Sequence, residues 1–257
     1  MRIFSRYLIG ILFAAPAAFA HFQVILPSVD VVDSSTGKTI TLDLVFTHPM
    51  ENGPVMEMGA PKRFDVLVRG EKQDLLPALK PVQVGGKTAY QSQYTVQGPG
   101  AHVFCLEPAP YWEPAEEKLI IHYTKVVVPA FGSWAGWDTM AGFPVEIEPL
   151  MRPFGLWTGN VFQGIVRKDG KPVPFATVEV EYLNADGAVK APNDALVTQS
   201  IKTDAGGVFT YAMPRAGWWG FAALIDGDEK LPNPDGKPVD VELGALIWVK
   251  TVDMADK

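Results

Sequence analysis

The sequence predicts an all-β protein, arranged as two consecutive β-sandwich domains behind a cleaved leader. Three observations carry this. Short runs rich in β-branched and aromatic residues, several of them alternating, recur along the whole chain. Each ends at a turn signal built from Pro, Gly or Asp-Gly. The 22 Pro and 24 Gly among 257 residues are scattered, and no segment after the leader sustains a helical period.

The elements follow in order. Arg2 and Arg6 precede the apolar run at 7–13, and Ala18-Phe19-Ala20 places small residues at the two positions a signal peptidase reads. The run is shorter than the roughly 20 apolar residues needed to span a bilayer. Residues 1–20 are therefore expected to be a signal peptide cut after Ala20, sending the chain to the periplasm with His21 as its first residue. No later apolar run reaches spanning length, so the processed chain is not expected to be an integral membrane protein. Residues 21–150 read as the first sandwich. Its strand-like runs are 39–46 (TITLDLVF), 64–68, 90–96, 101–106 and the longest, 119–128 (LIIHYTKVVV), which ends at Pro129. The Gly-rich stretch 132–142 reads as a loop. Residues 151–257 read as a second sandwich, with strands at 159–166, 176–182 and on both sides of the Thr203-Asp204-Ala205-Gly206 turn.

Composition narrows the function. The net charge is −7, and losing Arg2 and Arg6 with the leader would make the chain more acidic. That disfavours nucleic acid and anionic membranes as partners and favours cations. The single cysteine, Cys105, excludes an internal disulfide and, between Phe104 and Leu106, reads as a core residue. There is no nucleophile elbow, phosphate loop, dinucleotide fingerprint, H-E-x-x-H or C-x-x-C spacing. The chain therefore reads as a binding protein rather than an enzyme, and any metal site has to be assembled from distant segments.

The histidines are the candidates. Cleavage after Ala20 would leave His21 with a free α-amine, whose pKa of about 8 lets it yield its proton to a metal near neutral pH. Amine and imidazole Nδ1 could then chelate one ion together. His48 ends a strand before Pro49, at a rim where loops build sites. His122, with Thr124, interrupts an otherwise apolar face of the longest run, which fits either a site lining or a half-exposed strand. Met56 and Met58 share a face on an extended chain and offer soft thioethers, or simply pack. His102, at a strand start after Gly100, and Met50 are further candidates, His102 reading mainly as structural. Tyr111 and Trp112, with Trp134 and Trp137, could wall a pocket or stack on a sugar, or anchor a core. Glu113, Glu116 and Glu117 read as solvated.

Two resemblances add to this reading. Residues 159–250, in the order G-x-V…DGKPVP-x-A-x-V-x-V…T-D-A-x-G-x-F-x-Y…P-x-A-G-x-W, resemble the carboxypeptidase regulatory-like (transthyretin-like) module, which implies a Greek-key sandwich and little about function. His21-Phe22, Thr47-His48-Pro49-Met50-Glu51, Met56-Glu57-Met58, Tyr111-Trp112-Glu113, His122 to Val126 and Gly159 to Phe162 together resemble the domain of unknown function 4198 family, a periplasmic component associated with nickel and cobalt uptake. That resemblance covers nearly all of the chain after the leader. It implies a divalent transition-metal ion, nickel or cobalt with copper as an alternative, delivered to or sensed for inner-membrane transporter components. Two other readings stay open: a copper-brace oxidative enzyme acting on polysaccharide, and a metal-free carbohydrate- or protein-binding sandwich.

Overall fold

A computed structural model describes residues 21–255; the expected leader at 1–20 lies outside them. The first half carries strands β1 (Phe22–Pro27), β2 (Thr39–Thr47), β3 (Arg63–Val68), β4 (Glu71–Asp74), β5 (Lys80–Val84), β6 (Lys87–Thr95), β7 (Gly100–Glu107), β8 (Tyr111–Glu113) and β9 (Lys118–Ala130). Then follow β10 (Val145–Pro149), β11 (Leu156–Trp157), β12 (Val161–Lys168), β13 (Lys171–Pro172), β14 (Thr177–Tyr182), β15 (Gln199–Lys202) and β16 (Val208–Ala212). The chain closes with β17 (Gly217–Asp226), β18 (Leu231–Pro232), β19 (Pro238–Val239) and β20 (Val241–Val252). Helix among the described residues is limited to two single 3-10 turns, Leu76–Ala78 and Asp194–Leu196. The all-β expectation holds, and none of these helices is long and apolar enough to cross a membrane.

The two expected sandwiches share a sheet. A ten-stranded sheet has the order β15-β14-β17-β20-β9-β7-β3-β4, with β8 and β11 added on β9 and β20. It crosses the sequence boundary near residue 150 where β9 and β20 pair in parallel, from Leu119↔Val241 to Val126↔Trp248. The four-stranded sheet β1-β2-β6-β5 covers one of its faces, and the sheet of β10, β12, β13 and β16 covers the other. β10, placed by sequence in the first sandwich, pairs with β12 of the second.

Alternation along β9 shows how the layers meet. Ile120, Val126 and Val128 join Phe22, Leu42, Leu44 and Phe46 in one core; Leu119, Ile121, Tyr123 and Val127 join Val145, Ile147, Phe162 and Phe209 in the other. A strand covered on both faces needs a nearly continuous apolar run, and β9 has one. β20 is covered in the same way, which is why it lacks the alternation that marks β2.

Polar groups on such a strand need partners. Lys125, 1% exposed, donates to Glu146 Oε1 at 2.7 Å. Glu146 also accepts the backbone N–H of Ala141 at 2.7 Å and of Gly142 at 3.1 Å, and so fixes the loop before β10. Cys105 is fully buried, as expected, and burial pushes its thiol up to about 12. Glu146→Ala would strand the Lys125 charge and free the loop. It is expected to cost about 3–5 kcal/mol, read as a lower midpoint in urea unfolding.

Candidate metal site

The site begins where the β1–β2 ladder ends. Phe22 and Thr47 are its last paired residues, so His21 and His48 stand opposite one another one step beyond. Their ring centroids are 4.6 Å apart. Behind His48 the chain turns sharply at residues 48–53, and this turn is held by the second half. Met50 donates its N–H to Glu181 Oε2 at 3.1 Å, Asn184 Nδ2 donates to the Met50 carbonyl at 3.0 Å, and Asn184 N–H donates to the Pro49 carbonyl at 3.1 Å.

β8, paired to β9 through Tyr111↔Ile120 and Glu113↔Lys118, supplies the next wall. Period-two alternation puts Tyr111 and Glu113 on one side. The Tyr111 ring lies 5.8 Å from His21 and 5.0 Å from Phe46. Glu113 Oε2 lies 3.0 Å from His21 Nε2, and both side chains are 12% exposed. This carboxylate accepts a hydrogen bond from Nε2–H and leaves Nδ1 of His21 with its lone pair, the arrangement by which outer carboxylates orient metal-binding histidines.

His122 stands on the far side of Phe46, whose ring contacts both His21 (5.6 Å) and His122 (5.9 Å). Its Nε2 lies 3.4 Å from Glu242 Oε1, and Glu242 Oε2 accepts from Lys118 Nζ at 2.6 Å. The ring lies over Gly244, its parallel partner on β20, where an added Cβ would fall 2.2 Å from His122 Cδ2. His122 Nδ1 is buried, with no hydrogen-bond partner among the described residues.

Burial dominates the electrostatics. It lowers His48 to about 4, helped by the neighbouring charge of His21. It also lowers His21, where Glu113 opposes it and His122 reinforces it. Both imidazoles are therefore neutral near pH 7, the form that binds metals. Burial pushes Glu242 upward, but His122 and Lys118 outweigh it and bring the carboxyl down to about 2. Burial raises Glu181 to about 8 and Glu179 to about 7.

The structure thus brings His21, His48 and Tyr111 together and places His122 behind one aromatic ring. His122 and Thr124 are 2% and 0% exposed, which excludes the half-exposed strand. Met58 borders a small pocket with His122, Phe46 and Tyr111. Met56 is buried in the first core, and Met50 meets the second half through its backbone. His102 lies elsewhere on β7, its Nδ1 3.1 Å from the Gly100 carbonyl and its ring against Tyr94. Trp112, partly buried, packs against the opposite core, and Trp134 leans at a tilt on Phe154. Glu113 corrects its sequence reading: at 9% exposure it is buried and paired, because its strand folds back on β9. Its place two residues after Tyr111 was the available signal. Glu242 and Gly244 carry no local signal, since only the parallel β9–β20 joint brings them to His122. Among the described residues no group of three His, Cys, Asp or Glu side chains is disposed to hold one ion.

Fold and site define an all-β protein with a pair of neutral histidines, His48 buried and His21 largely so, beside a turn that its second half fastens. Residues 18–227 match the family described as Domain of unknown function (DUF4198), and the chain belongs to that family. A comparison with curated proteins found no match. Among solved structures, the chain is similar to dimeric latent PorU from Porphyromonas gingivalis (10% identity, TM-score 0.25, 92% of this chain and 21% of that one). It is also similar to trypsin-activated alpha-2-macroglobulin from Escherichia coli (12%, 0.27, 90% and 16%) and to the adhesin InvE from Yersinia pseudotuberculosis (10%, 0.24, 87% and 58%). The chain spans less than two thirds of each of these proteins, and likenesses at these scores carry no functional argument.

The lowered imidazole pKa values give a signed pH dependence. The unfolded chain, with histidines near the ordinary 6.5, binds more protons than the native protein as pH falls from 6.5 towards 4. The contribution of neutral His48 to stability is complete above pH 6.5 and is lost as pH falls towards about 4. Urea midpoints should drop across this window, and less steeply in His48→Gln. Proton NMR should show His48 titrating near 4.

Proposed function

We propose that this protein is exported, is cut after Ala20, and binds a divalent transition-metal ion in the periplasm through the α-amine and Nδ1 of His21 and the imidazole of His48. The observation that carries this is the pairing of His21 and His48 at 4.6 Å with the Glu113 carboxylate on His21 Nε2. The carboxylate fixes the tautomer that leaves Nδ1 available beside the new terminal amine. Two imidazoles supply nitrogen ligands without any third side chain, and the amine is the third. Three nitrogen donors suit Ni²⁺, Co²⁺, Cu²⁺ or Zn²⁺ far better than hard cations such as Mg²⁺ or Ca²⁺.

The role we infer is that of an accessory protein that carries nickel or cobalt to an inner-membrane uptake transporter. Its support is the acidic composition, the enclosed neutral ligands and the resemblance on which the family was read. Copper stands higher than nickel in the usual affinity order, so metal supply rather than raw affinity would select the cargo. The same histidine pair favours one second reading, a copper-dependent oxidase of polysaccharide. Against it, Trp112 packs against the opposite core and Trp134 leans on Phe154, so among the described residues neither tryptophan makes a ring contact with the histidines.

The test is calorimetric titration of the chain beginning at His21 with Ni²⁺, Co²⁺, Cu²⁺ and Zn²⁺, beside a form with one added Ala before His21. The native form is expected to bind one ion, releasing about one proton per ion at pH 7, chiefly from the amine. The extended form keeps the imidazole but displaces the amine, and should bind about tenfold or more weakly. Equal binding by the two forms would refute the terminal chelate. Copper-dependent polysaccharide cleavage in the presence of a reductant would favour the second reading.

A further inference from the structure

Phe46 separates the paired histidines from a second group of donors. On its far side lies a small pocket walled by Phe46, Pro108, Ala109, Tyr111 and Ile120, with His122 and Met58 also lining it. The cavity volume is about 20 Å³, room for one water molecule or one ion and too little for a sugar or an amino acid. A loop contact helps close it: a Cβ on Gly59 would fall 2.8 Å from the Ala109 Cβ, so the two loops touch only because position 59 has no side chain.

The donors in this pocket are unusual for an interior. His122 is 2% exposed and its Nδ1 has no hydrogen-bond partner among the described residues. A buried polar atom of this kind is rare and points to a guest. Glu242, held by Lys118, faces the other ring nitrogen at 3.4 Å as a hydrogen-bond acceptor, so Nδ1 is the ring nitrogen left to meet a guest in the pocket. Met58 is buried, and its sulfur is reached by Gln23 Nε2 at 3.8 Å. That amide also donates to the carbonyls of Val24 and Val45 at 3.1 Å, so Gln23 is anchored beside the thioether. Glu57 borders the pocket, where hydrogen bonds from Thr88 hold its carboxyl below the ordinary range and leave a negative charge.

We propose that His122 Nδ1 and Met58 Sδ form a second, soft-metal position that takes a monovalent copper ion. A thioether is a poor partner for water and for hard cations but a good one for Cu⁺, and imidazole completes a low-coordinate pair. The small volume leaves no room for the additional water ligands that Cu²⁺ would require, and the Glu57 carboxylate at its border draws a cation to the pocket. The position shares no ligand with the His21–His48 site, so the two stand or fall separately.

The test uses the chain beginning at His21, titrated anaerobically with Cu⁺ in competition with a chromogenic Cu⁺ chelator. The background is His21→Ala/His48→Ala, which removes the first site. This variant is expected to retain one Cu⁺, and copper X-ray absorption should show a sulfur neighbour. Adding Met58→Leu, close in volume, should weaken Cu⁺ binding by about tenfold or more and abolish the sulfur signal while leaving the thermal unfolding midpoint nearly unchanged. No Cu⁺ retained by the background variant, or binding indifferent to Met58→Leu, would overturn the proposal and leave a water on His122 Nδ1. Ni²⁺ titration of the chain with both histidines intact reports on the first site independently.

Discussion

The parallel pairing of β9 with β20 is the constraint on which the rest depends. It fuses the two halves into one sheet and places β9 under cover on both faces. From that point every residue of β9 has to be apolar or individually partnered. Lys125 is matched by Glu146 under the third layer, and His122 by Glu242 and the bare backbone of Gly244. The first half supplies the histidines and the pocket walls, and the second half buttresses them through Glu181, Asn184, Glu242 and Gly244.

The histidine site is a product of this fusion. His21 and His48 come from the end of one ladder, Glu113 from a short strand folded onto β9, and the turn behind His48 is fastened to Glu181 and Asn184 of the second half. Burial works in two opposite directions here. It keeps the imidazoles of His21 and His48 neutral, while Glu242 stays ionised because its hydrogen bonds and the Lys118 charge compensate its desolvation. Carboxylates around neutral imidazoles give the proposed site an electrostatic setting that favours a cation.

Much of this was legible in the sequence. The alternation of residues 39–46, the β-branched run at 119–128 and the turn signals of the second half mark β2, β9, β12 and β14 near their observed bounds. The two histidines that meet were both visible, His21 from the processing pattern and His48 from its place before Pro49. What escaped was non-local. The shared sheet depends on a parallel pairing between segments far apart in the chain, and β20, buried on both faces, gives no alternation. Glu113 looked like one of three surface glutamates, and only the return of β8 onto β9 separates it from Glu116 and Glu117. Met56 and Met58, equivalent in sequence, both pack in the first core, and Met58 alone also borders a pocket.

The most direct test of the central claim is a crystal structure of the chain beginning at His21, grown with Ni²⁺ and measured on both sides of the nickel absorption edge. The account predicts one anomalous peak bonded to the α-amine and Nδ1 of His21 and to a ring nitrogen of His48, with Glu113 still accepting from His21 Nε2. A peak bonded to other residues, or to His21 through Nε2 in place of Glu113, would contradict it.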